Sequence, residues 1–280
     1  VNCYRGCIHA CTYCFARRYH EFLGYGAGTD FETKIVAKIN APAVLREELK
    51  RTREKIGQLE FSFTTDPYLP LEANYELTRK CLIICRDFRM PVGIITKSPL
   101  ITRDLDVLTE LDGMVFFSIP FPTIEKSKPF EPFVPVPEAR FRAMETLAKA
   151  GVEVGIGIAP IIPTYNDADI PILLEKARNA GATRAFINLI HFDSDSVEDY
   201  FVQKLKEKLP TKADKILNAL RRERGGQLRH RNFAERGGKT EQWQTAVRLF
   251  DLHFRRLGFT KFRRIEKTEE KPAPEQPRLF

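Results

Sequence analysis

The sequence has no long apolar run and few cysteines. None of its apolar runs reaches eighteen residues, so the sequence predicts no membrane-spanning helix. Six cysteines in 280 residues are too sparse for a disulfide framework, and no secretory apolar segment is visible. Because 43% of the residues are hydrophobic, the chain has enough apolar side chains for a globular core. These features argue against the membrane-spanning and the disulfide-stapled classes of protein.

Three of the six cysteines are concentrated near the start of the chain. Cys7, Cys11 and Cys14 have the spacing C-x3-C-x2-C, and Tyr13 stands directly before the last of them. Thiolates packed this closely are typical ligands of an iron–sulfur cluster. A [4Fe–4S] cluster normally takes four cysteines, so three ligands leave one iron open to an outside ligand. An open coordination position is typical of a metal site that carries out chemistry.

Two other metal sites fit this motif less well. A structural zinc site usually takes two ligand pairs a dozen or more residues apart, and no second cysteine pair or His-x3–5-His follows at that distance. An electron-carrier ferredoxin takes four cysteines per cluster and usually has a proline after the last, whereas Phe15 follows Cys14 here. Cluster cysteines also predict a reducing, cytoplasmic compartment.

The remaining cysteines are predicted to lie outside the cluster. Cys3 would close the open iron as a fourth ligand, but we favour a place on the strand that leads into the motif, without ligation. Cys81 and Cys85 lie four residues apart in a predicted helix and therefore share one of its faces. Buried free cysteine packs as a small hydrophobic side chain, so we assign this pair to the core.

The cysteine motif, with its aromatic residue before the third cysteine, resembles that of the radical S-adenosylmethionine (SAM) superfamily. The chain is most similar to the spore photoproduct lyase-like, or "DNA repair photolyase", branch, within a group of bacterial and archaeal radical SAM proteins. The segments that carry this resemblance are residues 2–7, 13–17, 30–33, 65–68, 96–98, 103–105, 159–163, 166–167 and 224–226. The resemblance therefore extends over nearly the whole chain.

The resemblance implies an activity and two cofactors. In the superfamily a low-potential [4Fe–4S] cluster donates an electron to SAM, and the resulting 5′-deoxyadenosyl radical takes hydrogen from a substrate. The chain would also need a low-potential electron donor such as flavodoxin or ferredoxin. One departure concerns the lyase-like part of this expectation. Spore photoproduct lyase returns a hydrogen from a cysteine near its second strand, and the matching segment 61–65 contains no cysteine.

Apolar strand-like segments alternate with helical stretches, which predicts an α/β fold with parallel strands. The predicted strands are residues 59–65, 91–96, 114–119, 152–158 and 184–190. The predicted helices between them are residues 78–88, 104–111, 138–150 and 170–180. The resemblance implies a more specific architecture, a partial (β/α)6 TIM-like barrel of the radical SAM type with a C-terminal helical extension and the cluster loop after the first strand.

We expect three regions along the chain. Residues 1–195 form the radical SAM partial barrel, in which the proline-rich stretch 119–137 is a stiff loop over one end. Residues 196–266 form a basic helical region, and the charged, proline-rich residues 267–280 form a disordered tail. Because the chain begins at Val1 and the cysteine motif follows almost at once, we expect that part of the natural N-terminus is missing.

In α/β barrels the functional side chains lie at the C-terminal ends of the strands. Lys97 and Ser118 stand at two such ends, where Lys97 is a natural partner for a carboxylate and Ser118 for a hydrogen bond. The resemblance supports both as contacts of the methionyl part of SAM. It also implies that Tyr13 places backbone near the adenine, Thr65 lies near the amino group and Ala159 lies near the nucleoside. We assign no residue to the chemistry on the substrate itself.

Positive charge is concentrated in the C-terminal part of the chain. The net charge is +8, and residues 204–267 hold nineteen Lys and Arg against seven Asp and Glu, a net of +12 that leaves −4 for the rest. Such a block is typical of proteins that bind a phosphate backbone, so we expect nucleic acid or a nucleotide-like molecule as substrate. Trp243 and Phe233 lie within the block and are candidates for stacking on a base.

Two other functions stay open at this point. The same radical chemistry can act on a peptide or a small molecule, and salt-dependent binding of nucleic acid would separate that case from the first. The third reading is a non-enzymatic iron–sulfur protein in which Cys3 closes the fourth iron. Failure to bind SAM, rescued by replacement of Cys3, would support it.

Overall fold

The computed structural model describes residues 1–62, 64–229 and 237–260. Its strands are β1 Tyr4–Arg5, β2 Val36–Ala37, β3 Leu59–Phe61, β4 Val92–Thr96, β5 Gly113–Ser118, β6 Glu153–Ile161 and β7 Arg184–Leu189. Its helices are α1 Arg18–Glu21, α2 Asp30–Thr33, α3 Ala41–Thr52, α4 Glu72–Tyr75, α5 Leu77–Asp87, α6 Leu105–Leu108, α7 Ile124–Ser127, α8 Pro137–Lys149, α9 Ile170–Asn179, α10 Asp195–Lys208, α11 Pro210–Glu223 and α12 Glu241–Arg256. Short 3-10 turns cover Phe15–Arg17, Arg53–Lys55, Pro99–Asp104 and Asp167–Asp169.

A parallel sheet of five strands, in the order β3-β4-β5-β6-β7, forms the centre of the fold. Each strand pairs in parallel with the next one along the chain. A parallel neighbour requires a crossover, and helices α5, α6, α8 and α9 stand in these crossovers. The strand order and the crossovers confirm the predicted α/β class and its partial TIM-like barrel.

The first strand lies beside this sheet instead of joining its ladder. Strand β1 pairs antiparallel with β2. The residues before it contact the edge next to β3: the amino group of Val1 donates to the Glu60 carbonyl at 2.6 Å, and Thr64 N–H donates to Asn2 Oδ1 at 3.0 Å. The segment 1–5 therefore lies against the β3 edge of the sheet, and the cysteine motif begins directly after β1, as the resemblance implied.

Most predicted elements are present, with shifted ends. Strand β3 ends at Phe61, four residues before the predicted end, because the chain there turns its polar groups toward the N-terminal segment. The predicted helix 104–111 has its start confirmed, since α6 begins at Leu105 with Asp104 as N-cap, but it ends at Leu108, three residues before the predicted end. The chain first makes the 3-10 turn Pro99–Asp104, because Pro99 suits the first helical position and Ser98 Oγ accepts from Leu100 N–H at 3.3 Å.

The C-terminal helices are anchored to the end of β7. Nη2 of Arg224 donates to the Ile190 carbonyl at 2.8 Å, and its Nη1 donates to the Gly237 carbonyl at 3.0 Å. The adjacent Glu223 is buried and accepts from Thr240 N–H at 3.0 Å, directly before α12. Helix α12 in turn packs on α9. The predicted helical extension thus exists and is attached to the barrel.

The structure bears differently on the predicted tail, on the predicted division into regions and on the search for membrane-spanning helices. The predicted tail 267–280 and the last residues of the predicted basic region lie outside the described residues. The division at residue 195 stays a prediction. Within the part of the chain that the structure describes, no helix is both long enough and apolar enough to cross a bilayer.

Candidate active site

The three motif cysteines lie on one tight loop after β1. Cys7 and Cys11 are buried and Cys14 is half-buried. Two turns shape the loop, with Ala10 N–H donating to the Cys7 carbonyl at 3.2 Å and Cys14 N–H donating to the Cys11 carbonyl at 3.3 Å. Gly6 opens the loop with φ +76°, and a Cβ there would stand 2.9 Å from the Phe31 carbonyl oxygen. Only glycine satisfies both conditions.

The three thiols of this loop have the donor chemistry of an iron–sulfur cluster. Among the described residues, no three Cys, His, Asp or Glu side chains stand close enough to hold one ion. A tetrahedral zinc site needs such convergence. In a [4Fe–4S] cluster each thiolate binds a different iron, so its ligands do not meet at one point. Three soft thiols on a single loop therefore fit the cluster.

Burial keeps the thiols of Cys7 and Cys11 protonated when no metal is bound. Burial raises the pKa of Cys7 to about 12, and the nearby Asp66 carboxylate acts in the same direction. Burial also raises the pKa of Cys11 well above its ordinary value, although the positive charge of Lys97 opposes the change. Because a cysteine binds iron as its thiolate, cluster binding must release protons from this loop.

Four of the five predicted cofactor residues lie next to one another. Lys97 Nζ donates to Ser118 Oγ at 2.8 Å, and Ser118 Oγ donates to the Ala159 carbonyl at 3.3 Å. The same ammonium lies 5.8 Å from the centroid of the Tyr13 ring. These contacts join the C-terminal ends of β4 and β5 and the last part of β6 to the cysteine loop. The structure thus brings Tyr13, Lys97, Ser118 and Ala159 together.

Thr65, the fifth predicted residue, follows β3 and contacts the start of the cysteine loop. Its hydroxyl is buried and donates to the Gly6 carbonyl at 2.6 Å. The hydroxyl proton is therefore used inside the protein, while the oxygen keeps its acceptor capacity.

Asp66 connects the cysteine loop to the next strand, a role that was not predicted from the sequence. Its carboxylate accepts from Thr96 Oγ1 and from Lys97 N–H, both at 2.7 Å. His9, within the cysteine motif, places its Nδ1 3.5 Å from the same carboxylate. Burial lowers the pKa of His9, although Asp66 opposes the change. The Asp66-Pro67 pair reads in the sequence as an ordinary turn opener, and only the fold gives it these partners.

A buried ion pair supports the other side of the loop. Tyr13 Oη donates to Glu131, and Arg140 Nη2 donates to Glu131 Oε2 at 2.7 Å. Arg140 Nη1 also donates to the Ser118 carbonyl at 2.7 Å. Both charged side chains are fully buried, at 0% exposure each. Burial would raise the pKa of Glu131, but the charges of Arg140 and Lys97 outweigh it and hold that pKa below its ordinary value.

The sequence contains a signal for this pair, although neither residue was predicted to belong to the site. Arg140 stands on the buried face of α8 together with Ala143, Met144 and Leu147. An arginine at an apolar position of an amphipathic helix indicates a buried charge with a partner. Glu131 stands in the proline-rich stretch between Phe130 and Pro132, and its sequence neighbours carry no such signal.

The other three cysteines lie in the hydrophobic core, where Cys81 and Cys85 were predicted. Cys3 Sγ lies 3.7 Å from Cys81 Sγ, and both residues are buried. The Cys3 side chain therefore contacts helix α5.

The basic C-terminal helices share a core with the cysteine loop. One hydrophobic cluster contains Cys11 and Tyr13 together with Phe201 of α10 and Leu217 and Leu220 of α11. The opposite face of α11 is exposed and carries Lys212, Lys215, Arg221 and Arg222.

Of the two aromatic residues proposed to stack on a base, only one is described. Trp243 is half-buried and packs against the main core, which favours a packing role. Phe233 lies outside the described residues.

Comparison with known proteins identifies relatives over most of the chain. The Radical SAM superfamily model matches residues 1–177. An uncharacterized protein of Mycobacterium bovis is 35% identical over 197 residues, which cover 68% of this chain and 58% of the relative. An uncharacterized protein of Methanocaldococcus jannaschii is 32% identical over 194 residues, which cover 69% of this chain and 68% of the relative. The chain thus spans less than two thirds of the mycobacterial relative's length.

Solved structures of spore photoproduct lyase share the fold. A cysteine-to-serine mutant matches with a TM-score of 0.61 and 14% identity, over 93% of this chain and 75% of that chain. A mutant described with bound AdoMet and dinucleoside spore photoproduct matches with a TM-score of 0.56 and 18% identity, over 75% of this chain and 61% of that chain. Such identities establish the fold alone. Because the family model covers more than half of the sequence, the chain belongs to the radical SAM superfamily, whose cofactors are a [4Fe–4S] cluster and SAM.

Proposed function

We propose that this radical SAM enzyme acts on nucleic acid or a nucleotide-like substrate, in the manner of the photoproduct lyase-like branch. One observation carries the proposal: the helix with the exposed basic face, α11, packs its apolar face into the same core as Cys11 and Tyr13. A polyanion bound on α11 would therefore lie about one helix diameter, about 10 Å, from the core that contains Cys11 and Tyr13. The dinucleoside in the solved spore photoproduct lyase structure supports the substrate class by analogy only.

The chain's own residues have distinct proposed roles at the cofactors. When bound, the cluster and SAM supply a 5′-deoxyadenosyl radical that takes a hydrogen atom from the substrate. We propose that Cys7, Cys11 and Cys14 hold three irons and leave the fourth open. Lys97, held by Ser118 at 2.8 Å, is the proposed partner of the methionyl carboxylate.

The remaining predicted contacts surround that lysine. Thr65 Oγ1 donates to Gly6 and keeps lone pairs, so we propose that it accepts from the methionyl ammonium. We propose that Ala159 and Tyr13 offer backbone groups to the nucleoside and the adenine. The ion pair of Glu131 and Arg140 would keep Tyr13 in place because Glu131 accepts from its hydroxyl.

The position of Cys3 favours an enzyme over a closed cluster. A fourth cysteine ligand would occupy the open iron and block the binding of SAM. The contact between Cys3 and Cys81, at 3.7 Å between sulfur atoms, places this thiol in the core against α5. To ligate, Cys3 would have to leave that packing. We therefore propose that the fourth iron stays available and that the enzyme takes its electron from a low-potential donor such as flavodoxin or ferredoxin.

The basic surface has the properties of a phosphate-binding face. Within the described ranges, Lys206, Lys212, Lys215 and Arg222 form no ion pair with another described residue. Lys212 also lies 5.8 Å from the centroid of the Tyr165 ring, which brings the start of α11 to the barrel rim. Uncompensated exposed cations at this density favour a polyanion through release of its counterions.

Two experiments test the proposal. Anaerobic reconstitution, reduction with dithionite and chromatographic detection of 5′-deoxyadenosine test the radical chemistry, with Cys11→Ala as the inactive control. Fluorescence anisotropy with labelled single-stranded and double-stranded DNA and RNA, at two salt concentrations, tests the substrate class. We expect binding that weakens steeply with salt and is reduced in a Lys212→Glu, Lys215→Glu double variant. Formation of 5′-deoxyadenosine without any such binding would favour a peptide or small-molecule substrate.

A further inference from the structure

Arg17 lies three residues after Cys14, and its side chain is completely buried. Its Nε donates to the Cys11 carbonyl at 3.0 Å. Its Nη1 donates to the Ala27 carbonyl at 3.1 Å and to the Gly28 carbonyl at 2.9 Å. One buried guanidinium thus holds the backbone of a proposed cluster ligand against the segment that follows.

Among the residues that the structure describes, one carboxylate compensates the charge of Arg17. Nη2 donates to Glu32 Oε1 at 2.6 Å, and the Glu32 side chain is 16% exposed. The other three acceptors are neutral carbonyl groups. A fully buried cation is costly, so the surrounding structure must stabilise it through these four directed bonds.

The same guanidinium reaches the C-terminal helices. Its carbon lies 4.0 Å from the centroid of the Tyr200 ring on α10 and 5.1 Å from that of Phe31. The Tyr200 hydroxyl donates to Glu32 Oε1, the atom that Arg17 also binds. Arg17 therefore joins the cysteine loop, residues 27–32 and helix α10 through direct contacts. Lysine has no planar fork and cannot reproduce all of them.

We propose that Arg17 is a positioning residue that sets the reduction potential of the cluster and makes that potential depend on the seating of α10. The inference rests on the proposed ligation by Cys7, Cys11 and Cys14. A thiolate-ligated cluster becomes more negative when it takes up an electron, so a fixed cation at the Cys11 carbonyl stabilises the reduced form. Release of Tyr200 from Arg17 would loosen that cation and lower the potential.

The test measures the reduction potential of the cluster, because a purely structural role of Arg17 in the fold would leave that potential unchanged. The full chain, reconstituted anaerobically, is titrated with redox mediators while electron paramagnetic resonance reports the reduced cluster. At a fixed applied potential, we expect Arg17→Gln to lower the ratio of reduced to oxidised cluster at least tenfold. For a one-electron couple this corresponds to a reduction potential that is lower by about 59 mV. We expect Arg17→Lys and Tyr200→Leu to shift it in the same direction by less. Arg18→Gln is the matched control, because within the described ranges this neighbouring arginine donates to the Asp193 carbonyl, at 3.2 Å, and to no carbonyl of the cysteine loop.

Each outcome decides a separate question. If Arg17→Gln binds no iron, the Arg17→Lys variant tests the inference in its place. The inference requires that this variant also has a shifted reduction potential and an altered electron paramagnetic resonance spectrum. Unchanged potentials and spectra in the Arg17 variants that bind iron would overturn the inference and leave the proposed function intact. An unchanged Tyr200→Leu variant would overturn the dependence on α10. A wild-type chain that binds no cluster would instead overturn the proposed ligation.

Discussion

Removal of one charge from the buried pair of Glu131 and Arg140 should destabilise the protein severely. The substitution Glu131→Gln keeps the volume of the side chain and leaves an acceptor for Tyr13. It removes the carboxylate that faces Arg140 Nη2 at 2.7 Å. Arg140, at 0% exposure, is then left with the Ser118 carbonyl, at 2.7 Å, as its remaining hydrogen-bond acceptor among the described residues. Lys97, the other cation that acts on Glu131, has the same sign as Arg140 and cannot compensate it.

The expected magnitude follows from the burial of both partners. Loss of one member of a fully buried ion pair leaves an uncompensated charge and typically costs about 3–5 kcal/mol. An m-value of about 3 kcal/mol/M in urea converts this loss into a midpoint lowered by about 1–1.7 M. Glu145→Gln is the matched control, because Glu145 pairs with Lys149 on the surface of α8 and both side chains are exposed. An exposed pair of this kind contributes about 0–1 kcal/mol.

Urea unfolding of the metal-free chain under reducing conditions, followed by circular dichroism, measures these costs without the cofactors. The double variant Glu131→Gln, Arg140→Met removes both charges and should lose at least about 2 kcal/mol less than the sum of the single variants. A loss below about 1 kcal/mol in Glu131→Gln, or additive single effects, would refute the reasoning. Either result would mean that water or another group compensates Arg140.

Three further predictions concern the loop, the cofactor and pH. Gly6→Ala should lower both the urea midpoint and the amount of iron bound per chain more than Gly24→Ala does. Both glycines have φ +76°, but of the two only Gly6 would place a Cβ 2.9 Å from a carbonyl oxygen. Equal effects of the two substitutions would contradict the steric argument. Lys97→Met should weaken SAM binding, measured by calorimetric titration, about 10- to 150-fold. This range corresponds to the loss of a charged hydrogen bond of about 1.5–3 kcal/mol. Substitution of the exposed Lys149 by Met should leave SAM binding unchanged. Burial lowers the pKa of His20, so the unfolded chain binds its proton more tightly and the free energy of unfolding should fall as pH drops below about 6.5. The slope of that fall should be smaller in His20→Phe, and an unchanged slope would show that His20 is not responsible.

The elements whose signals are local were predictable from the sequence. Strand β4 and helix α5 appear within a residue or two of their predicted bounds because each has an uninterrupted apolar face. The cysteine spacing predicts the cluster loop for a similar reason, since all of its information lies within eight residues. The C-terminal strand ends then located Lys97 and Ser118, which the fold brings to 2.8 Å of each other.

The contacts that hold the site together were not predictable in this way. Glu131 meets Tyr13 across 118 positions of sequence, and Asp66 meets Thr96 across thirty. Neither contact can be predicted from the periodicity of apolar residues, because each depends on how the strand ends converge in the fold. Strand β3 ended early for a related reason: hydrogen bonds to residues far along the chain outweighed its local strand propensity.

The C-terminal helices are part of the site, because they contact the cysteine loop directly. Tyr200 of α10 lies on Arg17, and the apolar face of α11 shares a core with Cys11 and Tyr13. The loop is held from the barrel side by the strand-end hydrogen bonds and from the other side by these helices. The proposed polyanion site on α11 therefore belongs to a helix whose other face packs against the loop. Any coupling between the proposed polyanion site and the proposed cluster would pass through this contact.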